Sequence, residues 1–230
     1  MTPASVDPRL VQHLRHQLGA WPPPAPFTVA GSAARAAPGW DGEVHPVSLV
    51  SSPDGLVIGV PPAAVDAVRG LGDGWQSPGY ADALTVALGL TGPHALHAGG
   101  VFRWTTEPTD LEPLGEWVET DDPRLPDWLR PFNGGVLVAW EDDGSYVAGV
   151  GLKAHDAWVD EISVGTEPAA RGRGLARRLV VTAAREVLAR NHIPTYLHAP
   201  DNTASAHVAE GAGFPDRGWH VGALWPVAGA

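Results

Sequence analysis

Apolar positions follow a helical period at the start of the chain and a mixture of periods afterwards. Four apolar residues from Leu10 to Leu18 recur at helical spacing behind Asp7, a possible N-cap, and a proline at the first helical position. This pattern predicts an amphipathic helix over 7–19. The other elements predicted for the first hundred residues are an extended Pro-rich connector to about residue 41, a hairpin around Pro53-Asp54-Gly55, and short helices over 63–70 and 80–90.

The pattern changes after Gly99-Gly100, where we place a break between two regions. Three runs over 134–141, 145–153 and 157–166 read as strands, and the tight turns between them require antiparallel pairing. A strongly amphipathic helix follows over 173–190. The remaining predicted elements are a strand over 101–104, a weak helix over 110–118, a strand over 195–199, a helix over 205–211 and a last strand over 219–225.

These elements predict an α/β fold of the α+β kind. Its mixed, mostly antiparallel central sheet carries flanking helices over residues 101–230, and a smaller α/β region of unknown role precedes it over residues 1–100. We find no internal repeat.

Composition narrows the classes of function. The 230 residues carry a net charge of −11, which disfavours non-specific binding to nucleic acid or anionic membranes. Cysteine is absent, so disulfides, thiolate nucleophiles and Cys-ligated metal sites are excluded. No apolar run is long enough for a membrane span, and the start of the chain does not resemble a secretory signal. We therefore expect a cytoplasmic protein with no metal.

One segment, residues 171–176, has the chemistry of an anion site, and we call it the glycine loop. Gly172 and Gly174 permit a tight backbone path at the start of the long helix, where amide groups and the helix dipole favour an anion. Arg171 and Arg173 add forked donors suited to phosphate. A Walker loop would need Gly-Lys-Ser/Thr, and a dinucleotide loop would need a small residue where this chain has Arg177.

The spacing of Arg171-x-x-Gly174-x-Ala176 behind Thr166-x-Pro168 resembles the pyrophosphate-binding motif of the GNAT superfamily of acyl-CoA-dependent N-acyltransferases. A second stretch, Asn202-Thr203-Ala204-Ser205 followed by Gly213-Phe214, resembles that superfamily's next motif. The order of predicted elements fits the family fold over about residues 101–230. The first hundred residues lie outside the resemblance, although a degenerate half of the same fold is compatible with them.

The resemblance implies acetyl-CoA as co-substrate and an amine as acceptor. Strand 157–166 would pair with the pantetheine arm, the glycine loop would hold the diphosphate, and a notch beside strand 195–199 would take the thioester. The residues expected to bind the cofactor are Ile162, Val164, Thr166, Arg171, Gly172, Arg173, Gly174, Leu175, Ala176 and Asn202.

Catalysis requires a group that removes a proton from the amine. Glu161 is the candidate base, and its rival is Asp160, which points to the opposite face of the strand. Many family members carry a general-acid tyrosine seven residues after the motif asparagine, whereas this chain has Ala209 there. Tyr196, His198 and His207 are nearby, and we expect structural roles for them and assign no acid.

The resulting hypothesis is an N-acetyltransferase that moves an acetyl or short acyl group to a primary amine of a small molecule or peptide. A non-catalytic acyl-CoA sensor is the alternative, because the acid is missing. A nucleotide-dependent oxidoreductase is a third reading, and it would require NAD(P), not CoA, to protect the protein against heat. Nucleic acid and membranes are not expected partners, and a homodimer is compatible with the sequence.

Overall fold

The computed structural model describes residues 6–227. Within that range the helices are α1 (Pro8–Leu18), α2 (Val65–Arg69), α3 (Tyr80–Ala87), α4 (Leu175–Ala189) and α5 (Thr203–Gly211). The strands are β1 (Phe27–Gly31), β2 (Ser48–Ser52), β3 (Gly55–Val60), β4 (His94–Trp104), β5 (Glu116–Val118), β6 (Val136–Trp140), β7 (Tyr146–Ala154), β8 (Val159–Thr166), β9 (Ile193–His198) and β10 (His220–Pro226).

Contacts divide the chain into two units. Unit 1 contains Phe102–Arg217 together with the described residues up to Leu10, and unit 2 contains Val11–Val101 together with the described residues from Gly218. The predicted boundary at residue 100 lies one residue before Val101, where the first part of unit 2 ends. The last strand, β10, belongs to unit 2 because it pairs with β2 and with the first part of β4.

The strands of unit 1 follow the order β4-β9-β8-β7-β6-β5, with β4 entering through its last three residues. Neighbours from β5 to β8 are antiparallel, and β8 and β9 are parallel. The predicted meander and the predicted fold class, a mixed and mostly antiparallel sheet with flanking helices, are therefore confirmed.

Helix α4 covers one face of this sheet. Its apolar side, which includes Leu179, Val180 and Val187, is fully buried against β6, β7, β8 and β9. A helix forms here because leucine, valine and alanine recur every three to four residues without an internal proline or glycine. Each fully buried aliphatic side chain stabilises the fold by about 1.5–3 kcal/mol, so the packing fixes where the helix begins relative to the sheet.

The predicted helix over 110–118 is wrong. Residues 105–115 form an irregular segment and only β5 follows it, because prolines and a glycine interrupt the run. The segment is held from α4, where Thr182 Oγ1 accepts a hydrogen bond of 3.0 Å from Leu114 N. Arg178 and Arg185, expected on a solvated face, donate to carbonyl oxygens between residues 109 and 113.

The strands of unit 2 follow the order β1-β3-β2-β10-β4, with both parallel and antiparallel neighbours. The hairpin of β2 and β3 is confirmed, whereas the predicted Pro-rich connector is wrong in part because β1 lies within it and pairs with β3 in parallel. The predicted start of the strand at Val101 is also wrong. Strand β4 runs through Gly99-Gly100 with a bulge opposite Val221 and Gly222, and Gly99 takes the positive φ of 103° at that bulge.

Candidate functional site

The two parallel strands of unit 1 separate before they end. Pairing between β8 and β9 runs from Val159 opposite Ile193 to Ile162 opposite Tyr196 and stops there, although both strands continue. We call the space between residues 163–166 and residues 197–198 the strand gap. Along the gap, β8 keeps its bonds to β7 on one side, and on the other side it pairs with no strand within residues 6–227. An extended ligand with amide groups could pair with that free edge.

Both strands lead towards helices at the same edge of the sheet. Because β8 and β9 are parallel, their carboxyl ends lie together, and α4 and α5 begin shortly after them. A helix N-terminus carries free amide groups and a partial positive charge. In open sheets with parallel strands, ligands bind in the crevice outside the carboxyl ends. The strand gap is therefore suited to a ligand with an anionic end.

The glycine loop supplies the amides. Gly172 and Gly174 have φ of 78° and 76°, which only glycine adopts without strain, and a Cβ at either position would meet no atom within 4 Å. Gly174 is the N-cap of α4 and makes no side-chain cap. Among the described residues, the amides from Gly172 to Arg177 donate to no backbone carbonyl, and Arg178 N is the first to do so, 3.3 Å from Gly174 O. The preceding amides are available to an anion.

The two loop arginines differ in how far their charge is available. Arg171 is exposed and forms no side-chain bond to any of the described residues. Arg173 donates to both carboxylate oxygens of Glu141, and this contact lowers the pKa of Glu141. Arg171 is therefore the loop cation that is free to meet a ligand phosphate, whereas Arg173 would have to share its charge with a carboxylate.

The other residues predicted to bind the cofactor are mostly core residues, and Thr166 adds a hydroxyl group. Ile162 and Leu175 are core residues, Val164 packs against the same core, and Ala176 is half-buried. Thr166 ends β8 with a buried Oγ1 that has no hydrogen-bond partner among the described residues. A buried hydroxyl without a partner is costly, and a ligand group beside β8 would satisfy it. This unpaired hydroxyl and the open glycine loop fit a coenzyme A molecule.

Asn202 has a definite structural task at the start of α5. Its Oδ1 accepts a bond of 3.0 Å from Ser205 N, which makes it the N-cap. Its amide nitrogen remains the donor that could reach a ligand. Ser205 also lies 2.8 Å from the hydroxyl of Tyr196, measured between the two oxygens.

Glu161 lies in a charged cluster that the sequence did not reveal. Its Oε1 is 2.5 Å from Lys153 Nζ, and its Oε2 is 3.3 Å from His155 Nε2. Burial alone would raise the pKa of Glu161, but these two partners outweigh it and lower the pKa to about 2. The carboxylate is therefore ionised throughout the neutral range and is a weak proton acceptor by itself.

The rival base and the candidate acids have other partners. Asp160 is 1% exposed and lies 3.1 Å from His192 Nδ1. His198 is buried between Arg103, whose Nε donates to Nε2, and the carbonyl of Ala199, which is 2.8 Å from Nδ1. Both ring nitrogens of His198 therefore have partners within the protein.

The sequence contains a signal for part of the Glu161 cluster. Lys153 stands directly opposite Glu161 in the register of the hairpin formed by β7 and β8, and it is the single lysine of the chain. Opposite charges at directly facing positions attract, so a hairpin centred on residue 157 identifies the pair, whereas the shorter turn predicted between 153 and 157 does not place the two residues opposite each other. The contact between Tyr196 and Ser205 joins β9 to α5, and no local pattern indicates it.

A cavity of about 570 Å³ lies elsewhere, within unit 2. It contains no arginine or lysine among its lining residues, and its aromatic wall is Trp75. Nothing there would balance the charge of a diphosphate, so we place the anion site at the glycine loop. Over residues 6–227 no three His, Asp or Glu side chains form a metal-ligand set, and no helix has the length and apolarity to cross a membrane.

Comparison with known proteins assigns a family to the part of the chain that contains the glycine loop. Residues 101–214 match the model of the acetyltransferase (GNAT) family. No curated protein sequence matches the chain at a significant level.

Solved structures with similar folds include a GNAT-family protein from Novosphingobium aromaticivorans, at 22% identity and a TM-score of 0.49, covering 60% of this chain and 70% of that one. A GNAT acetyltransferase from Colwellia psychrerythraea has 14% identity and a TM-score of 0.45, covering 63% and 61%. A GCN5-related N-acetyltransferase-like protein from Streptococcus suis has 19% identity and a TM-score of 0.46, covering 65% and 69%.

Proposed function

Because residues 101–214 belong to the GNAT acetyltransferase family, we propose that the protein transfers an acetyl or short acyl group from acyl-CoA to a primary amine of a small molecule or peptide. The observation that carries the proposal is the strand gap, which has a free β edge on one side and the glycine loop at its mouth. A thioester with a long amide arm and a diphosphate matches both features.

Coenzyme A would be held mainly by backbone groups. The amide groups of its pantetheine arm would pair with residues 163–166, and its diphosphate would accept from the glycine-loop amides and from Arg171. The Thr166 hydroxyl and the amide nitrogen of Asn202 would add polar contacts. Backbone amides beside the thioester would stabilise the negative charge that develops on the carbonyl oxygen during attack.

The acceptor must lose a proton first, since a lysine-like amine with a pKa of about 10 is mostly ammonium near neutral pH. Glu161 precedes the last paired residue of β8, and its side chain points away from the face that packs on α4. We assign the proton transfer to Glu161 and His155 together. The ionised carboxylate would orient the imidazole and stabilise its positive charge while the imidazole takes the proton.

Thiol release is the direct test. The protein has no cysteine, so a thiol reagent reports free coenzyme A without background from the enzyme. Acetyl-CoA should bind saturably in calorimetry and release thiol when amino acids, polyamines, aminoglycosides or peptides are supplied. Glu161→Gln and His155→Gln should each lower the rate by about 10²-fold or more while acetyl-CoA affinity is kept. Unchanged rates in both variants would contradict the assignment of the proton transfer.

A non-catalytic acyl-CoA sensor remains the second candidate, and one observation favours it. Ala209, which stands at the position of the family's general-acid tyrosine, is fully buried and cannot donate a proton. Saturable acetyl-CoA binding without thiol release across the whole amine panel would support the sensor and contradict the enzyme. Thiol release with any amine, above the rate with water alone, would exclude the sensor.

A further inference from the structure

A buried phenol lies at the closed end of the strand gap. Tyr196 is 2% exposed, and it is the last residue of β9 that pairs with β8, opposite Ile162. Its hydroxyl does not end in the core, because it lies 2.8 Å from Oγ of the half-buried Ser205. Ser205 belongs to the first turn of α5, where Asn202 caps the helix. The phenolic oxygen therefore lies between β9 and the first turn of α5.

The phenol of Tyr196 lies in the same part of the core as Ala209, the position at which many family members carry the general-acid tyrosine. Tyr196 and Ala209 belong to one core cluster, and the tyrosine ring packs on Phe214 with centroids 5.9 Å apart. The hydroxyl of Tyr196 meets the first turn of α5, whereas position 209 of the same helix supplies no polar atom.

We propose that Tyr196 is the proton donor to the departing sulfur of coenzyme A, an assignment that rests on the proposed function. The amine nitrogen forms its bond to the thioester carbonyl carbon, and the carbon–sulfur bond breaks with its electron pair leaving on sulfur. The phenolic proton moves to that sulfur, which gives the free thiol. The proton lost by the amine passes to His155 and then to water, and the phenolate regains a proton from water through the Ser205 side.

The environment keeps this donor protonated. Burial raises the pKa of the Tyr196 hydroxyl, and the contact with Ser205 and the charge of Arg103 oppose that shift only in part. The phenol therefore carries its proton throughout the neutral range and can give it to a thiolate. Among the other groups considered as acids, His198 has both ring nitrogens bonded to Arg103 and Ala199, and His207 is exposed on α5.

A titration without acceptor or turnover tests the contact with sulfur. Because the protein lacks cysteine, the pH dependence of the rate at which iodoacetamide alkylates bound coenzyme A reports one thiol alone. A hydrogen bond to a thiolate favours the charged form, so the pKa of the bound thiol should be about one to two units higher in Tyr196→Phe than in wild type. Tyr146→Phe, which removes another buried hydroxyl of unit 1, should leave that pKa unchanged. An equal thiol pKa in Tyr196→Phe and wild type would overturn the proposal.

Turnover provides the second measurement. Tyr196→Phe should release thiol about 10²-fold more slowly than wild type at saturating acetyl-CoA, with unchanged affinity for acetyl-CoA. Ser205→Ala breaks the same hydrogen bond but keeps the phenol, so its loss should be only a few-fold. Equal losses in the two variants would attribute the effect to core damage and overturn the proposal.

The failure of this proposal and the failure of the proposed function give different results. No thiol release by wild type with any amine contradicts the enzyme itself. Release by wild type and by Tyr196→Phe at the same rate contradicts only the tyrosine. If Tyr196→Phe does not fold by urea unfolding, fluorotyrosine at position 196 keeps every contact and acidifies the phenol. The alkaline limb of the rate profile should then move to lower pH, and an unmoved limb would overturn the assignment.

Discussion

Gly174→Ala tests the glycine loop most sharply, because the backbone there is unusual and the space is open. Gly174 has φ of 76° and ψ of 8°, the left-handed conformation. A Cβ at this position would meet no atom within 4 Å, so alanine adds no clash and changes only the backbone preference. A residue other than glycine in this conformation costs about 1–2 kcal/mol.

This cost must appear in the protein with coenzyme A bound. If the loop holds its conformation without ligand, the free protein loses the full 1–2 kcal/mol and the affinity is unchanged. If the loop relaxes without ligand, the ligand must restore it, and the affinity for coenzyme A falls by about 5- to 30-fold. The two cases share one expectation, which is that the saturated complex of Gly174→Ala is about 1–2 kcal/mol less stable than the saturated wild type.

Urea unfolding with and without saturating coenzyme A measures both quantities, and calorimetry gives the affinity. Gly89→Ala is the matched control, since Gly89 has φ of 65°, open space around its Cβ position and a place in unit 2. Its coenzyme A affinity should equal that of wild type. A saturated Gly174→Ala complex as stable as the wild-type complex would refute the argument that the ligand binds to the left-handed loop.

Three further predictions concern charge and packing in unit 1. Arg171→Gln should weaken coenzyme A binding and reduce its salt dependence more than Arg173→Gln, because Arg173 already shares its charge with a carboxylate; equal effects in calorimetry would contradict this. The lowered pKa of Glu161 contributes about 3 kcal/mol of stability, which is present above pH 4.5 and lost as the pH falls towards about 2. The free energy of unfolding in urea should therefore depend less on pH in this window for Glu161→Gln than for wild type. An unchanged pH dependence would count against the argument. Gly151→Ala should cost about 1–3 kcal/mol, because a Cβ there would lie 2.2–2.5 Å from ring atoms of Phe132; an unshifted urea midpoint would disprove the overlap.

The sequence was sufficient for the parts of the fold that local patterns determine. The meander from β6 to β8 and helix α4 follow from alternation, tight turns and a helical apolar stripe, and the glycine loop follows from its residue types. The segment over 110–118 was predicted wrongly as a helix. Its two leucines have the spacing of a helical apolar face, but they pack on the core around α4 from an irregular backbone. Strand β1 was missed because its partner in the sheet is distant in sequence.

The candidate site divides in the same way. The glycine loop could be predicted from its motif, whereas the hydrogen-bond partners of the side chains in the site depend on strand register and packing. Glu161 was identified as a residue of interest, but its low pKa depends on Lys153 and His155, which the hairpin register places beside it. The contact between Tyr196 and Ser205 requires β9 and α5 to meet, which only the tertiary structure determines.

The central claim is that the backbone amides of the glycine loop hold the diphosphate of coenzyme A. Amide resonances of an isotope-labelled sample during titration with coenzyme A measure this directly. We predict saturable shifts at Gly172 and Gly174, the largest among the glycines, with Gly89 unmoved. Binding that leaves the resonances of both loop glycines in place, or the absence of any binding, would contradict the account.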